Sequence, residues 1–277
     1  MTETIKRVLS ALVVLALFLP ALFFLPRPYW AAMLFIGAFV ALREWGRLCG
    51  FSATSRGSYL IATAFLGWFA YAWLQPYRYG VLLHAPAAAF WVIIVPMWLY
   101  SKWHITSKPL LAVIGWLVVL PAWLALVTLR EISAPFLLAV LGVVWIADSA
   151  AFMVGKTWGK NKLAPIISPS KTWEGVAGAM VAVSGYAALI AYAPWLAADL
   201  PGVRDAWLWV IMAACLIAAL SILGDLFESW MKRQAGMKNS GTSLPGHGGV
   251  LDRIDSLTSS LPIVVLAAPF AGLSVLR

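Results

Sequence analysis

Nine runs of about twenty mainly apolar residues follow one another along the chain, at roughly 8–26, 29–48, 58–75, 80–100, 109–129, 133–155, 174–195, 206–224 and 257–275. A bilayer core about 30 Å thick takes about 20 residues of helix to cross. Backbone groups in that medium must be satisfied within the segment, as an α-helix allows. The expected fold is therefore all-α, a polytopic integral membrane protein with about nine transmembrane helices. Composition points the same way: of 277 residues, 62% are hydrophobic and only 11% charged, against about 25% charged in a soluble domain. This excludes a secreted disulfide scaffold, a disordered chain and a free nucleic-acid-binding domain, so no nucleic-acid partner is expected. Cys49 and Cys215 form neither a CxxC site nor a disulfide framework. Lys6 and Arg7 precede the first run as they would in a signal peptide. That run is too long for one, and no A-x-A cleavage site precedes Pro26, so it reads as a retained helix.

The net charge of +9 reads as topology. With the N-terminus in the cytoplasm, fifteen of the twenty Lys and Arg residues fall on the cytoplasmic side and five (Arg27, Arg78, Arg130, Arg204, Arg277) on the other. That asymmetry follows the positive-inside rule. Losing one span would invert every later loop, so the agreement along the whole chain supports nine. Tyr29, Trp30, Tyr100, Trp103, Trp195 and Trp207 at span ends suggest an interfacial belt, and nearly all of the sixteen tryptophans read as anchors or lipid-facing bulk.

Polarity is not spread evenly. Residues 1–130 hold no polar cluster and read as N-terminal helices forming scaffold or lipid-facing wall. Residues 131–277 carry two longer cytoplasmic loops, 156–173 and 225–256, and read as the catalytic region. In GDLFESWMKR (224–233), continuation of the preceding helix would place Asp225, Glu228 and Lys232 on one face. Glu228 and Lys232 also have a plainer reading, an ion pair on a solvated helix end. In KNSGTSLPGHGGVLDRIDS (238–256), Gly241, Gly246, Gly248 and Gly249 build a loop whose N–H groups can approach a phosphate. Asp252 and Asp255, three apart, flank Arg253, with Lys232, Arg233 and Lys238 just upstream. Carboxylates beside basic residues and a glycine loop describe a site for Mg²⁺ and polyphosphate together. His247 reads equally as a general acid or phosphate donor and as a residue that orients the loop. Asp148 lies inside an apolar run, where a carboxylate is functional by default. Lys171 follows a Ser-Pro turn, and Glu174 reads as a helix N-terminal charge.

The run Ser229 to Arg233, then Lys238, then PGHGGVLDRID (245–255) resembles the signature of phosphatidate cytidylyltransferases, the CDP-diacylglycerol synthases. DSAAF (148–152) and SPSKTWEG (168–175) resemble that family's other blocks, and the likeness covers about residues 140–262. The resemblance implies transfer of a cytidylyl group from CTP to phosphatidate, giving CDP-diacylglycerol and pyrophosphate in phospholipid biosynthesis. It implies Asp225 and Asp252 as Mg²⁺ ligands with Asp255 close by, and Lys171, Lys232, Arg233 and Arg253 holding phosphates. Lys238, His247, Gly248, Gly249 and, less directly, Asp148 belong to its substrate-binding blocks. It also admits a second metal ion and a homodimer. The expected setting is a lipid bilayer, a bacterial inner membrane, with the site facing the cytoplasm. One departure stands out: the family usually has Lys-Asp where this chain has Lys238-Asn239.

Three other classes fit less well. A transporter could line a path with Asp148 and Asp225, but no repeated halves appear. A lipid transferase of the CDP-alcohol type would carry Asp-Gly near Ala-Arg and further spaced aspartates, a pattern absent here. A membrane scaffold leaves the dense 225–256 segment unexplained.

Overall fold

The computed structural model describes residues 15–72, 80–193, 202–243, 248–271 and 273. Among these, nine helices succeed one another, one for each apolar run: α1 (Leu15–Phe24), α2 (Arg27–Leu48), α3 (Ala53–Ala72), α4 (Val81–Ser101), α5 (Lys108–Ile132), α6 (Ala134–Trp158), α7 (Trp173–Ala191), α8 (Trp207–Gln234) and α9 (Leu251–Ala271). The start of the first predicted run, Trp195 and the last residues of the final run lie outside the described residues. Six of the helices, α4 to α9, are long and apolar enough to cross a membrane. Helix α2 is less apolar because Arg43, Glu44 and Arg47 fall in its last turns, and α3 because it opens on Ala-Thr-Ser-Arg-Gly-Ser. The chain is a multi-pass membrane protein.

Helix α5 is the most buried of these spans and packs against α2, α3, α4, α6 and α9. Helices α6 and α7 form the most extensive pair, and α8 lies against α7, α9 and α6. Pro96 in α4 has no N–H to give. A π-helical turn at Phe90–Ile94 immediately precedes it, with Val95 N–H reaching back five residues to the Phe90 carbonyl.

The tryptophans correct an expectation. Trp30, Trp45, Trp91 and Trp98 are fully buried, and Trp123 and Trp230 nearly so. They pack between helices rather than at the interface, and three of them, Trp45, Trp123 and Trp230, also tie distant segments together by a hydrogen bond. Trp45 Nε1 donates to the Leu111 carbonyl at 2.8 Å and Trp123 Nε1 to the Ala31 carbonyl at 2.9 Å. The carbonyl of Trp103, in the loop after α4, accepts from Trp98 Nε1 (2.8 Å), Trp230 Nε1 (3.1 Å) and Gln234 Nε2 (2.9 Å). An indole brings a large flat contact surface with one donor, and at Trp45, Trp98, Trp123 and Trp230 a backbone carbonyl meets that donor, while Trp30 and Trp91 are held by packing alone.

The two polar segments are more ordered than loops. Residues 162–172 form an antiparallel hairpin of β1 (Lys162–Ala164) and β2 (Ser168–Thr172). Residues 225–234 are the last turns of α8, and 251–256 the first turns of α9. Between them 235–243 and 248–250 are irregular, and residues 244–247 lie outside the described residues.

Candidate active site

Helix geometry assembles the site at one end of the bundle, where α6 and α8 finish and α7 and α9 begin. Asp225, Glu228, Ser229 and Lys232 share one face of α8, as spacings of three and four require. The rotation of that face is set from behind. Phe227, almost wholly buried, sits among the rings of Trp45, Phe90, Trp91 and Trp98, at centroid distances of 6.3, 5.6, 5.4 and 5.3 Å. Gly224 lets α9 approach, since a Cβ there would collide with the Asp255 carbonyl and the Ser259 hydroxyl. Ser259 instead donates to the Leu220 carbonyl at 2.7 Å.

Charges converge on that face. Lys171, from β2, meets Asp225 Oδ2 at 2.6 Å, and Ser229 Oγ donates to Asp225 Oδ1 at 3.2 Å. Lys232 Nζ lies between Glu228 Oε2 (2.5 Å) and Asp252 Oδ1 (2.7 Å). The side chains of Glu228 and Asp252 are only 4% and 8% exposed, so this is no pair on a solvated helix end. Asp252 also accepts from the backbone N–H of Ser240 (3.0 Å) and Gly249 (2.8 Å). Asp148 accepts from Ser256 Oγ at 3.1 Å, and Asp255 Oδ1 from the Ser256 N–H at 2.8 Å. Asp255 lies within electrostatic reach of Asp225, Asp148 and Lys232, and Asp148 within reach of Asp225, Lys171 and Arg253. Five carboxylates thus share two directly paired lysines.

Such an excess of negative charge at a membrane boundary is costly unless cations join it. The acidic side chains gathered here offer carboxylate oxygens, the hard ligand that Mg²⁺ takes. Among the described residues no three His, Cys, Asp or Glu side chains form a ready-made cage. Mg²⁺ commonly binds through one or two carboxylates and completes its shell with water and substrate phosphates, so the donor set fits such an ion.

The remaining predicted residues are placed as follows. Arg253 is exposed on α9. Arg233 is exposed too, and its Nε donates to the Ile167 carbonyl at 3.2 Å, holding the hairpin. Lys238 is exposed on the loop, and His247 lies outside the described residues. Gly248 adopts a left-handed φ of 90°, and the Asn239 side chain lies against it. The Gly249 N–H, expected to face a phosphate, is directed at Asp252. Glu174 receives both the backbone N–H (3.1 Å) and side-chain amide (2.7 Å) of Asn161, so it braces the hairpin. Ser229 opens the signature run without a role assigned to it, and Glu44, Ser240, Ser243 and Ser256 lie outside the signature blocks. For Glu44 a signal exists: it is a lone acid between Arg43 and Trp45 near the end of an apolar run.

A sequence model of the cytidylyltransferase family matches residues 5–270. The phosphatidate cytidylyltransferase of Pseudomonas aeruginosa is 36% identical over 283 aligned residues, covering 96% of this chain and 97% of that one. That of Haemophilus influenzae is 34% identical, covering 93% and 96%. That of Brucella suis is 46% identical over a shorter stretch of 125 residues, 45% of this chain. Matched along nearly its whole length, the chain belongs to the cytidylyltransferase family.

Proposed function

We propose that this protein transfers the cytidylyl group of CTP to phosphatidate, releasing pyrophosphate and leaving CDP-diacylglycerol in the membrane. The observation that carries this reading is the cluster of five carboxylates and two lysines at the end of apolar helices. Such a site meets a water-soluble triphosphate from one side and a bilayer-held phosphate from the other. A phosphatidate oxygen forms a bond to the α-phosphorus of CTP. The bond from that phosphorus to the α–β bridging oxygen breaks, and pyrophosphate leaves with the electron pair. The attacking phosphate is already an anion, so the chemistry needs little general base. What it needs is relief of repulsion between two polyanions.

Lys171 and Lys232 are poised for that work. Lys171 is paired to one carboxylate and Lys232 to two, each through a single ammonium group that can turn to a phosphate oxygen without moving the backbone. Arg253 and the terminal nitrogens of Arg233 add charge at the rim, with Lys238. Asp225 and Asp252 would hold Mg²⁺, with Asp255 and Asp148 nearby for a second ion. Mg²⁺ supplies Lewis-acid charge to the phosphates when bound. By the charge asymmetry of the loops, the site faces the cytoplasm of a bacterial inner membrane.

The direct test incubates the purified protein in detergent with phosphatidate, Mg²⁺ and CTP labelled at the α-phosphate. Label should enter a lipid product with equimolar pyrophosphate; its staying in CTP would end the proposal. Orientation has its own test, in a background lacking Cys49 and Cys215. A cysteine at Lys160 should be labelled only from the cytoplasm, and one at Asp205 only from outside.

A further inference from the structure

We propose that Glu44 of α2 is a positioning residue for the site: its buried carboxylate clamps the glycine loop and so fixes Asp252. This rests on the reading of Asp252 as part of the reaction machinery. Glu44 is 1% exposed, yet its acceptors are well used. Ser243 Oγ donates to Oε1 at 2.6 Å, the Leu251 N–H to Oε2 at 2.9 Å, and Ser240 Oγ to Oε2 at 3.4 Å. All three donors lie about 200 residues later in the chain, on the loop or at the first residue of α9. Two glycines complete the seat. A Cβ on Gly241 would strike the Glu44 carboxylate, and one on Gly249 would lie 2.6 Å from Glu44 Oε2. These loop residues are also the ones that hold Asp252. The Ser240 N–H and Gly249 N–H both point at it, while the Ser240 hydroxyl and the Gly249 Cα face Glu44. The loop is thus threaded between two carboxylates, one buried in α2 and one open to the site. Losing the first lets the second drift.

The geometry predicts how substitutions differ. Glu44→Ala removes every acceptor. Glu44→Gln keeps one oxygen for the Leu251 N–H, and its amide can donate to the Ser243 hydroxyl, which then acts as acceptor. A displacement on the order of 1 Å at a reacting group can cost about 10²-fold. Glu44→Ala is therefore expected to lower kcat/KM by at least ~10-fold, with KM for CTP raised, and Glu44→Gln to recover most of the loss. Ser243→Ala, a milder lesion, should shift KM in the same direction by about 2–3-fold, a loss on the scale of one hydrogen bond.

The test combines steady-state CDP-lipid formation over a CTP titration with amide hydrogen exchange on the same detergent-purified proteins. Exchange at Ser240 and Gly249 should speed up in Glu44→Ala and return toward wild type in Glu44→Gln. Unchanged exchange in Glu44→Ala overturns the clamp. So does an activity loss that merely tracks the folded fraction at constant KM, or an equal loss in the Gln and Ala variants. If Glu44→Ala does not accumulate, Glu44→Gln and Ser243→Ala carry both measurements, and unchanged exchange and KM in both overturn the clamp. Should wild type form no CDP-lipid, the cytidylyl-transfer reading fails, and exchange alone still decides whether Glu44 holds the loop.

Discussion

At one end of the bundle, Arg130 of α5 gives its Nε to the Leu22 carbonyl (2.7 Å) and an Nη to the Leu25 carbonyl (2.5 Å), with its guanidinium over the Trp30 ring. At the other, Lys171 and Lys232 give their ammonium groups to Asp225, Glu228 and Asp252. Both ends bring cations into an apolar setting, yet the partners differ in kind. The carbonyls that Arg130 meets are among those left over at the end of α1, which a helix cannot satisfy itself. They are fixed to the backbone and cannot turn away to another partner as a side chain can. The partners of the lysines are side chains that outnumber them and that a metal ion or phosphate can exchange. Charge fixed to backbone joins helices; charge fixed to exchangeable side chains makes a site.

Substitutions separate the two. The largest effect is expected at the exchangeable end. Asp225→Asn or Asp252→Asn should leave protein inserted and folded while lowering turnover by at least ~10²-fold, the scale of removing a key electrostatic group. Near-normal rates in both, measured by CDP-lipid formation, would dissolve the contrast. Glu228→Gln should cost less than Asp252→Asn in the same assay, because Lys232 keeps Asp252 as its partner. Arg130→Leu inverts the pattern. Stranding two carbonyls should destabilise the fold by about 1–3 kcal/mol, seen as a lower midpoint of thermal unfolding, while turnover per folded molecule stays within about 2-fold of wild type. The smallest effect is expected for Asn239→Asp. The Asn239 side chain lies beside Gly248 at the edge of the Asp252 pocket, exposed. A carboxylate there should change the rate only a few-fold, with little shift in the Mg²⁺ needed for half-maximal activity, since exposed charge is well screened. A rise of ~10²-fold with tighter Mg²⁺ dependence would move that residue into the site.

Much of this arrangement is legible in the amino-acid sequence. Among the described residues each of the nine apolar runs contains a helix, and six of these helices are long and apolar enough to cross a membrane, where a helix satisfies its own backbone. Asp225, Glu228 and Lys232 share a face because helical spacing is local. What stayed hidden depends on contacts far apart in sequence. Glu44 looks like any acid in a basic helix end until the 240–251 loop folds over it. Trp30 looks like an interfacial anchor until Arg130, a hundred residues on, stacks on its ring. The hairpin at 162–172 carries no strong strand pattern, and Glu174 and Arg233 hold it from neighbouring helices.

The Trp103 carbonyl, with its three donors, has a consequence for how this protein would respond to sequence change. A carbonyl belongs to every residue type, so the joint between the α4–α5 connection and the end of α8 survives whatever side chain stands at 103. A scan of that position would score it tolerant and miss the joint. Its sensitivity lies in length and in the donors. One residue inserted between Lys102 and Ser107 would carry the acceptor away from Trp230 and Gln234, and with it the brace on the helix that bears Asp225.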